Sequence, residues 1–297
     1  MRAVVFTEYG PPDVLRVVEM DTPVPGPGKV LVRVRAAGLQ PFDAKLRSGV
    51  MAPHVQAKFP QQLGAEVAGV VEADAGSFKA GDEVLGPAPM TAHATHTLTD
   101  VDSVVVKPAR MSWAEAGALT ASGQTAATAI HDLGVKPGDT ILIHAAAGGV
   151  GSFAVQLARA AGATVIGTAS PRNHDYLRDL GAVPVAYGDG LAERIRAVAD
   201  GGAVDAVLDC VGTPEAINVS FEVIRDPARF GSLVSPAPGV RRLSTRGSVT
   251  QLAELVALYE KGALRVEVAA TFPLEEAAAA HRLLESGHVR GKVVLMP

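Results

Sequence analysis

A chain of 297 residues with 48% hydrophobic side chains can bury a large core and is long enough for two domains of ordinary size. Charged residues make up 20% and the net charge is −4, so no broad positive field draws in a phosphate backbone, which argues against nucleic acid as a partner. The single cysteine, Cys210, rules out an internal disulfide or a multi-thiolate metal site and suits a reducing, cytoplasmic setting.

The N-terminal MRAVVFTEYG enters a strand-like pattern without the basic start and apolar stretch of a secretory signal. No apolar run reaches the roughly 18 to 20 residues that a membrane span needs, so a soluble protein with no membrane partner is expected. From Met1 to Ala118 the runs RAVVF, KVLVRVRAAG, EVAGVVEA and DSVVVKP alternate with the turn clusters YGPPD, PVPGPG and KAGDEV, which predicts a β-rich domain. Within it TAHATHTLT reads as a strand, and its odd spacing puts His93 and His96 on opposite faces rather than together on a metal.

After Trp113 the texture changes. TILIHAAA, TVIGTAS, VPVAY, AVDAVLDC and FGSLVS are strand-like and LARAAGA and ERIRAVAD are helical, an alternation that predicts a parallel, doubly wound sheet over residues 119–264. SVTQLAELVALYEKGA reads as the closing helix of that unit. The tail adds VEVAATF, a helix over Glu275 to Glu285 and the strand GKVVLMP, and it is expected to return to the first domain, making that domain residues 1–118 and 265–297.

Residues 141–158 are the most informative, because an apolar strand runs through AAAGGVG directly into a helix. Gly148 and Gly149 are expected to allow a tight turn, Gly151 to let helix pack on strand, and the stretch Gly148 to Gly151, Val150 included, to present a phosphate-binding helix terminus. The next strand ends in GTASPRNHD, with no carboxylate before Asp175 to hold a ribose 2′-hydroxyl. Ser170, Arg172 and Asn173 instead offer a hydroxyl, a guanidinium and an amide to a 2′-phosphate, so NADP(H) is the expected cofactor; the alternative is that Arg172 is a solvated helix-start residue.

With PGPGKVLVRVRAAGLQPFD, LGAEVAGVV, FKAGDEV, LTASGQTA, AAAGGVG, GTAS, VDAVLDCVG, GSLVS and FPLEEAAAAHRLLESGHVRGKVVL in this order, the chain resembles the medium-chain dehydrogenase/reductase superfamily, in its zinc-free quinone oxidoreductase branch. The resemblance implies an α/β protein: a chaperonin-like (GroES-like) β-rich catalytic domain plus a Rossmann doubly wound parallel-sheet domain, with nicotinamide and substrate in a cleft between them, and a homodimer. It implies that Thr125 in GQTA lies beside the nicotinamide and Tyr187 in VAYG near the adenosine ribose or phosphate. By the same likeness Val211 and Gly212 lie near a ribose, and Ser235 and Pro236 near the carboxamide. Gln40 stands before Pro41 where relatives have asparagine, so the side chain facing the nicotinamide is longer by one methylene. Arg241, Arg242 and Arg246 in GVRRLSTRGS are taken as solvated loop charges.

Zinc-dependent relatives have Gly-His-Glu where this chain has Gly64-Ala65-Glu66, a cysteine where Gln40 stands, and a four-cysteine loop that is missing here. No metal is therefore expected. Without a nucleophile turn, and with Cys210 at the end of a buried strand, covalent catalysis is not indicated. The expected reaction passes a hydride from NADPH to a quinone or an α,β-unsaturated carbonyl, with water as proton source. A side-chain donor, if one acts, would be Lys45 oriented by Asp43, against the alternative of a surface ion pair. An enoyl-thioester reductase and a non-enzymatic dinucleotide-binding protein are the competing expectations.

Overall fold

A computed structural model describes residues 1–234 and 237–297. They form two compact units, residues 1–121, 248–256 and 266–297 in the first and 122–247 and 257–265 in the second. The division falls inside one continuous helix, Trp113–Asp132, and the helix Val249–Glu260, read from sequence as closing the second unit, gives its residues through Val256 to the first.

In the first unit the strand Lys29–Gly38 is the hub. Val30, Val32, Val34 and Ala36 alternate inward, Ala37 is buried as well, and the register against Glu66–Val71 shifts between Val34 and Ala36. Its partners are Glu66–Val71, His96–Asp100 and the C-terminal strand Lys292–Leu295, with Val294 opposite Gly38 and Leu295 opposite Ala37. The chain's tail is thus built into the sheet that starts near its head. Val268–Phe272 flanks it on one side, and Glu83–Pro87 and Val105–Val106 extend the sheet on the other. His96 begins its strand, whereas His93 lies before it and bonds elsewhere, its amide to Leu63 O and its carbonyl to Val4 N. The two histidines therefore do not share the single strand expected from TAHATHTLT.

In the second unit the described strands run parallel in the order Val183–Val185, Thr164–Thr168, Thr140–His144, Ala206–Asp209, Phe230–Ser232, Arg241–Arg242. Starting in the middle, growing to one side and then crossing to the other is the doubly wound topology. Strands covered on both faces need unbroken apolar runs; accordingly Ile141, Leu142 and Ile143 are fully buried, and Leu142, Ile166, Val207 and Phe230 share one core. The helices Gly149–Ala160, His174–Asp179, Leu191–Val198 and Pro214–Val223 link successive strands. Thr213 caps the last of these by accepting from Ala216 N at 3.3 Å.

Histidines within the cores make stability depend on pH. His281, on the helix Ala277–Glu285, is fully buried, and neither ring nitrogen has a hydrogen-bond partner among the described residues. Burial, reinforced by His93 and Arg47, pushes it down to about 3. Burial likewise lowers His93. These rings stay neutral in the folded protein while the unfolded chain protonates near 6.5, so the unfolded state binds more protons and stability falls as pH drops below 6.5. Between pH near 8 and pH near 5, His281 alone should cost about 2 kcal/mol. His281→Phe should lose less stability over that interval by about this amount, as measured by urea unfolding at both pH values; equal losses in the two proteins would refute the assignment.

Candidate dinucleotide site and a buried carboxylate

The strand Thr140–His144 ends in a turn whose left-handed residue is Ala145, at φ 53°. Gly148 was expected to provide that freedom, yet it sits at φ −77°, ψ 179°, an extended conformation open to any residue. The turn closes through Gly148 N, which donates to Ala145 O at 2.9 Å. Gly151 is needed for a different reason: a Cβ there would lie 2.3 Å from Ala145 O and 2.8 Å from Ala146 Cα, so only glycine lets the helix close onto the turn. The amides of Gly149, Val150 and Gly151 open the helix Gly149–Ala160 without intrahelical acceptors, and their direction favours an anion.

The neighbouring parallel strands deliver other candidates to the same sheet edge. Ser170, Arg172 and Asn173 follow Thr164–Thr168, with Ser170 O accepting from Asn173 N at 2.9 Å and Ser170 Oγ from Asn173 Nδ2 at 3.4 Å. Arg172 is exposed. Tyr187 follows Val183–Val185 and is 52% exposed; Val211 and Gly212, the latter at φ 76°, follow Ala206–Asp209. Thr125 lies instead on the helix Trp113–Asp132, its Oγ1 2.5 Å from that of Thr245. Ser235 and Pro236 lie outside the described residues. Gln40, Asp43 and Lys45 belong to the first unit.

A residue that sequence reasoning missed organises this edge. Asp209 is fully buried; its Oδ1 accepts from Val211 N at 3.0 Å and Gly212 N at 2.9 Å, and its Oδ2 from Ser232 Oγ at 2.6 Å. Ser232 Oγ in turn accepts from Val234 N at 3.0 Å, so one carboxylate ties two adjacent strand ends together. The only sequence signal was an acidic residue closing an otherwise apolar run. Beside it, burial and the Asp209 charge push the Cys210 thiol up, away from nucleophilic thiolate. Arg241, Arg242 and Arg246 are exposed, and two of them also turn to the end of the helix Trp113–Asp132: Arg246 pairs with the Asp132 carboxylate, and Arg241 donates to Asp132 O at 2.7 Å.

In the first unit Gln40 caps the helix Pro41–Arg47. Its backbone N–H donates to Asp43 Oδ2 at 2.7 Å, while Asp43 Oδ1 accepts from Gly64 N at 3.1 Å. Asp43 is fully buried and Lys45 exposed, so Asp43 holds two backbone segments together instead of orienting Lys45. Beneath Gln40 lies Glu66, also fully buried. Its Oε1 accepts from Gln40 Nε2 and stands 3.1 Å from Lys292 Nζ, and its Oε2 accepts from Ala121 N at 2.8 Å. Lys292 Nζ donates as well to Leu39 O at 2.9 Å. Gly38 makes the space: a Cβ there would be 2.2 Å from Glu66 Oε1 and 2.7 Å from Gly117 O.

The alcohol dehydrogenase GroES-like domain family model matches residues 26–173 and the zinc-binding dehydrogenase family model residues 180–295. A quinone oxidoreductase of Pseudomonas aeruginosa is 33% identical over 98% of both chains. The chain belongs to the medium-chain dehydrogenase/reductase superfamily, in its quinone oxidoreductase branch. A 2-haloacrylate reductase of a Burkholderia species is 32% identical over 99% of this chain and 98% of its own. The solved Escherichia coli quinone oxidoreductase, complexed with NADPH, is 28% identical with a TM-score of 0.88 over 100% of both chains.

The second family model is described by zinc, and the donors here do not fit that metal. Gln40 and Ala65 are not zinc ligands, Glu66 is already held by Lys292 and two nitrogen donors, and no group of three His, Cys, Asp or Glu among the described residues could hold a metal. The positive partner of the buried carboxylate is Lys292. Lys292→Met should therefore destabilise the protein by about 3–5 kcal/mol by stranding a buried charge, and Glu66→Gln added to it should recover much of that loss in urea unfolding. A single variant as stable as the parent would show that Glu66 has other compensation.

Proposed function

We propose that this chain is a zinc-independent, NADPH-dependent oxidoreductase that reduces a quinone or an α,β-unsaturated carbonyl. The observation carrying the cofactor choice is the strand end after Thr168, where Ser170, Arg172 and Asn173 stand and no carboxylate follows until Asp175. The NADPH in the Escherichia coli relative supports it. Quinones and 2-haloacrylates, named for two relatives, share a double bond conjugated to a carbonyl or carboxyl group, and that shared chemistry supports the substrate class.

When bound, the nicotinamide supplies the hydride. The residues of the chain bind and orient. The turn from Gly148 to Gly151 holds the pyrophosphate; Ser170, Arg172 and Asn173 hold the 2′-phosphate; Tyr187, Val211 and Gly212 border the ribose groups, and Ser235 and Pro236 the carboxamide. Thr125 and Gln40 face the nicotinamide, Gln40 with its amide set by Glu66. Water protonates the reduced substrate, with the exposed Lys45 as the side-chain alternative. A cytoplasmic homodimer belongs to the same proposal.

Steady NADPH oxidation with a simple ortho- or para-quinone, undiminished by a zinc chelator, is the expected result. Faster turnover of enoyl thioesters than of quinones or 2-alkenals would favour an enoyl-thioester reductase, and NADPH binding without turnover of any acceptor a non-enzymatic role. Arg172→Ala should weaken NADPH binding roughly ten- to a hundredfold and leave NADH binding nearly unchanged in a fluorescence titration. Equal losses for the two cofactors would move the 2′-phosphate elsewhere.

A further inference from the structure

Behind the dinucleotide turn lies a buried histidine for which the reaction has no use. His144 is the last residue of the strand Thr140–His144 and is 1% exposed. Its Nδ1 is 3.2 Å from Thr168 Oγ1 on the neighbouring strand, and its Nε2 is 3.0 Å from Ser220 Oγ on the helix Pro214–Val223. Thr168 Oγ1 also accepts from Ala145 N at 3.3 Å, and Ser220 Oγ donates to Ala216 O at 2.6 Å.

These contacts fix the direction of every hydrogen. Ser220 has one hydroxyl hydrogen, and Ala216 O can only accept, so Ser220 faces His144 with a lone pair and Nε2 must carry the ring proton. A neutral ring then leaves Nδ1 bare, and Nδ1 accepts from Thr168. With its hydrogen given to the ring, Thr168 Oγ1 meets the Ala145 amide as an acceptor. The order runs from Ala145 N–H to Thr168, to His144, to Ser220, to Ala216 O. Burial, opposed by Asp209, pushes His144 down to about 4, which keeps the ring neutral at working pH.

We propose that His144 is the positioning residue of the dinucleotide turn, acting through Thr168 to hold the Ala145 amide and so the left-handed bend that aims the following helix terminus at the cofactor. The bend needs such a hold: a non-glycine residue at positive φ is strained and persists only where its surroundings over-determine it. Two further bonds act on the same few atoms, Ala146 N to Thr168 O at 3.0 Å and Gly148 N to Ala145 O at 2.9 Å. Thr168 thus grips the turn twice, by carbonyl and by hydroxyl, and His144 sets which way the hydroxyl points.

This inference rests on the turn being the NADPH site, so NADPH binding by the parent protein is measured first; absence of binding would overturn both. Given binding, Thr168→Val, which keeps the shape and removes the hydroxyl, should raise the NADPH Kd about tenfold while the KM for quinone stays within about twofold. Thr168→Ser should restore the parent Kd, which a role limited to packing the threonine methyl would not. Unchanged NADPH affinity in folded Thr168→Val would overturn the proposal with the cofactor site intact. The parent protein supplies an independent readout: the ring ¹⁵N signals of His144 should show a single neutral Nε2–H form through neutral pH. An Nδ1–H tautomer or a charged ring there would reverse the chain and refute it.

Discussion

Polar side chains placed at the ends of buried strands govern this structure. A parallel sheet covered on both faces leaves no water for a polar group, so each must find partners in the protein or destabilise it. Asp209 and His144 meet this demand on adjacent strands of the second unit, Asp209 by accepting from the loop after its own strand and His144 through Thr168 and Ser220, of which Thr168 accepts from Ala145 N. The requirement of burial thereby becomes a means of shaping loops. The backbone at the candidate cofactor edge is set by groups beneath it.

Glu66 raises the same problem with a full charge and a different solution. A buried carboxylate without a cation would be costly, and nearby zinc is one conceivable source of positive charge in this fold; here a lysine from the last strand supplies it. The pairing of Lys292–Leu295 with Lys29–Gly38 is what carries that ammonium to Glu66. Gly38 is at the same crossing and cannot hold a larger residue. Gln40 then takes its amide orientation from the carboxylate, so the end of the chain conditions a side chain near its beginning.

Much of the fold was legible because it depends on local pattern. TILIH and AVDAVLDC are apolar runs of strand length, and the small-residue helices between such runs announce a parallel sheet without knowledge of any contact. The candidate phosphate turn was legible as a glycine cluster between strand and helix, but its left-handed residue was not, since Ala145 holds an unfavourable conformation through bonds that exist only after strands have paired. His93 and His96 were assigned to one strand from the segment TAHATHTLT; the strand begins at His96, and His93 is bonded to two other segments.

The residues missed have one property in common. Glu66 with Lys292, Asp209 with Ser232, and His144 with Thr168 and Ser220 are pairings across strands or across the length of the chain, and no periodicity records them. A signal was nonetheless present: a charged or hydrogen-bonding residue inside or at the end of a run otherwise fit for full burial. Such a residue either breaks the element or has a partner that repays its desolvation. Where the element survives, the partner must exist, and the loop or side chain bound to that partner inherits a fixed geometry. For Asp209 that inheritance is the Val211–Gly212 turn, and for Glu66 it is the direction of the Gln40 amide.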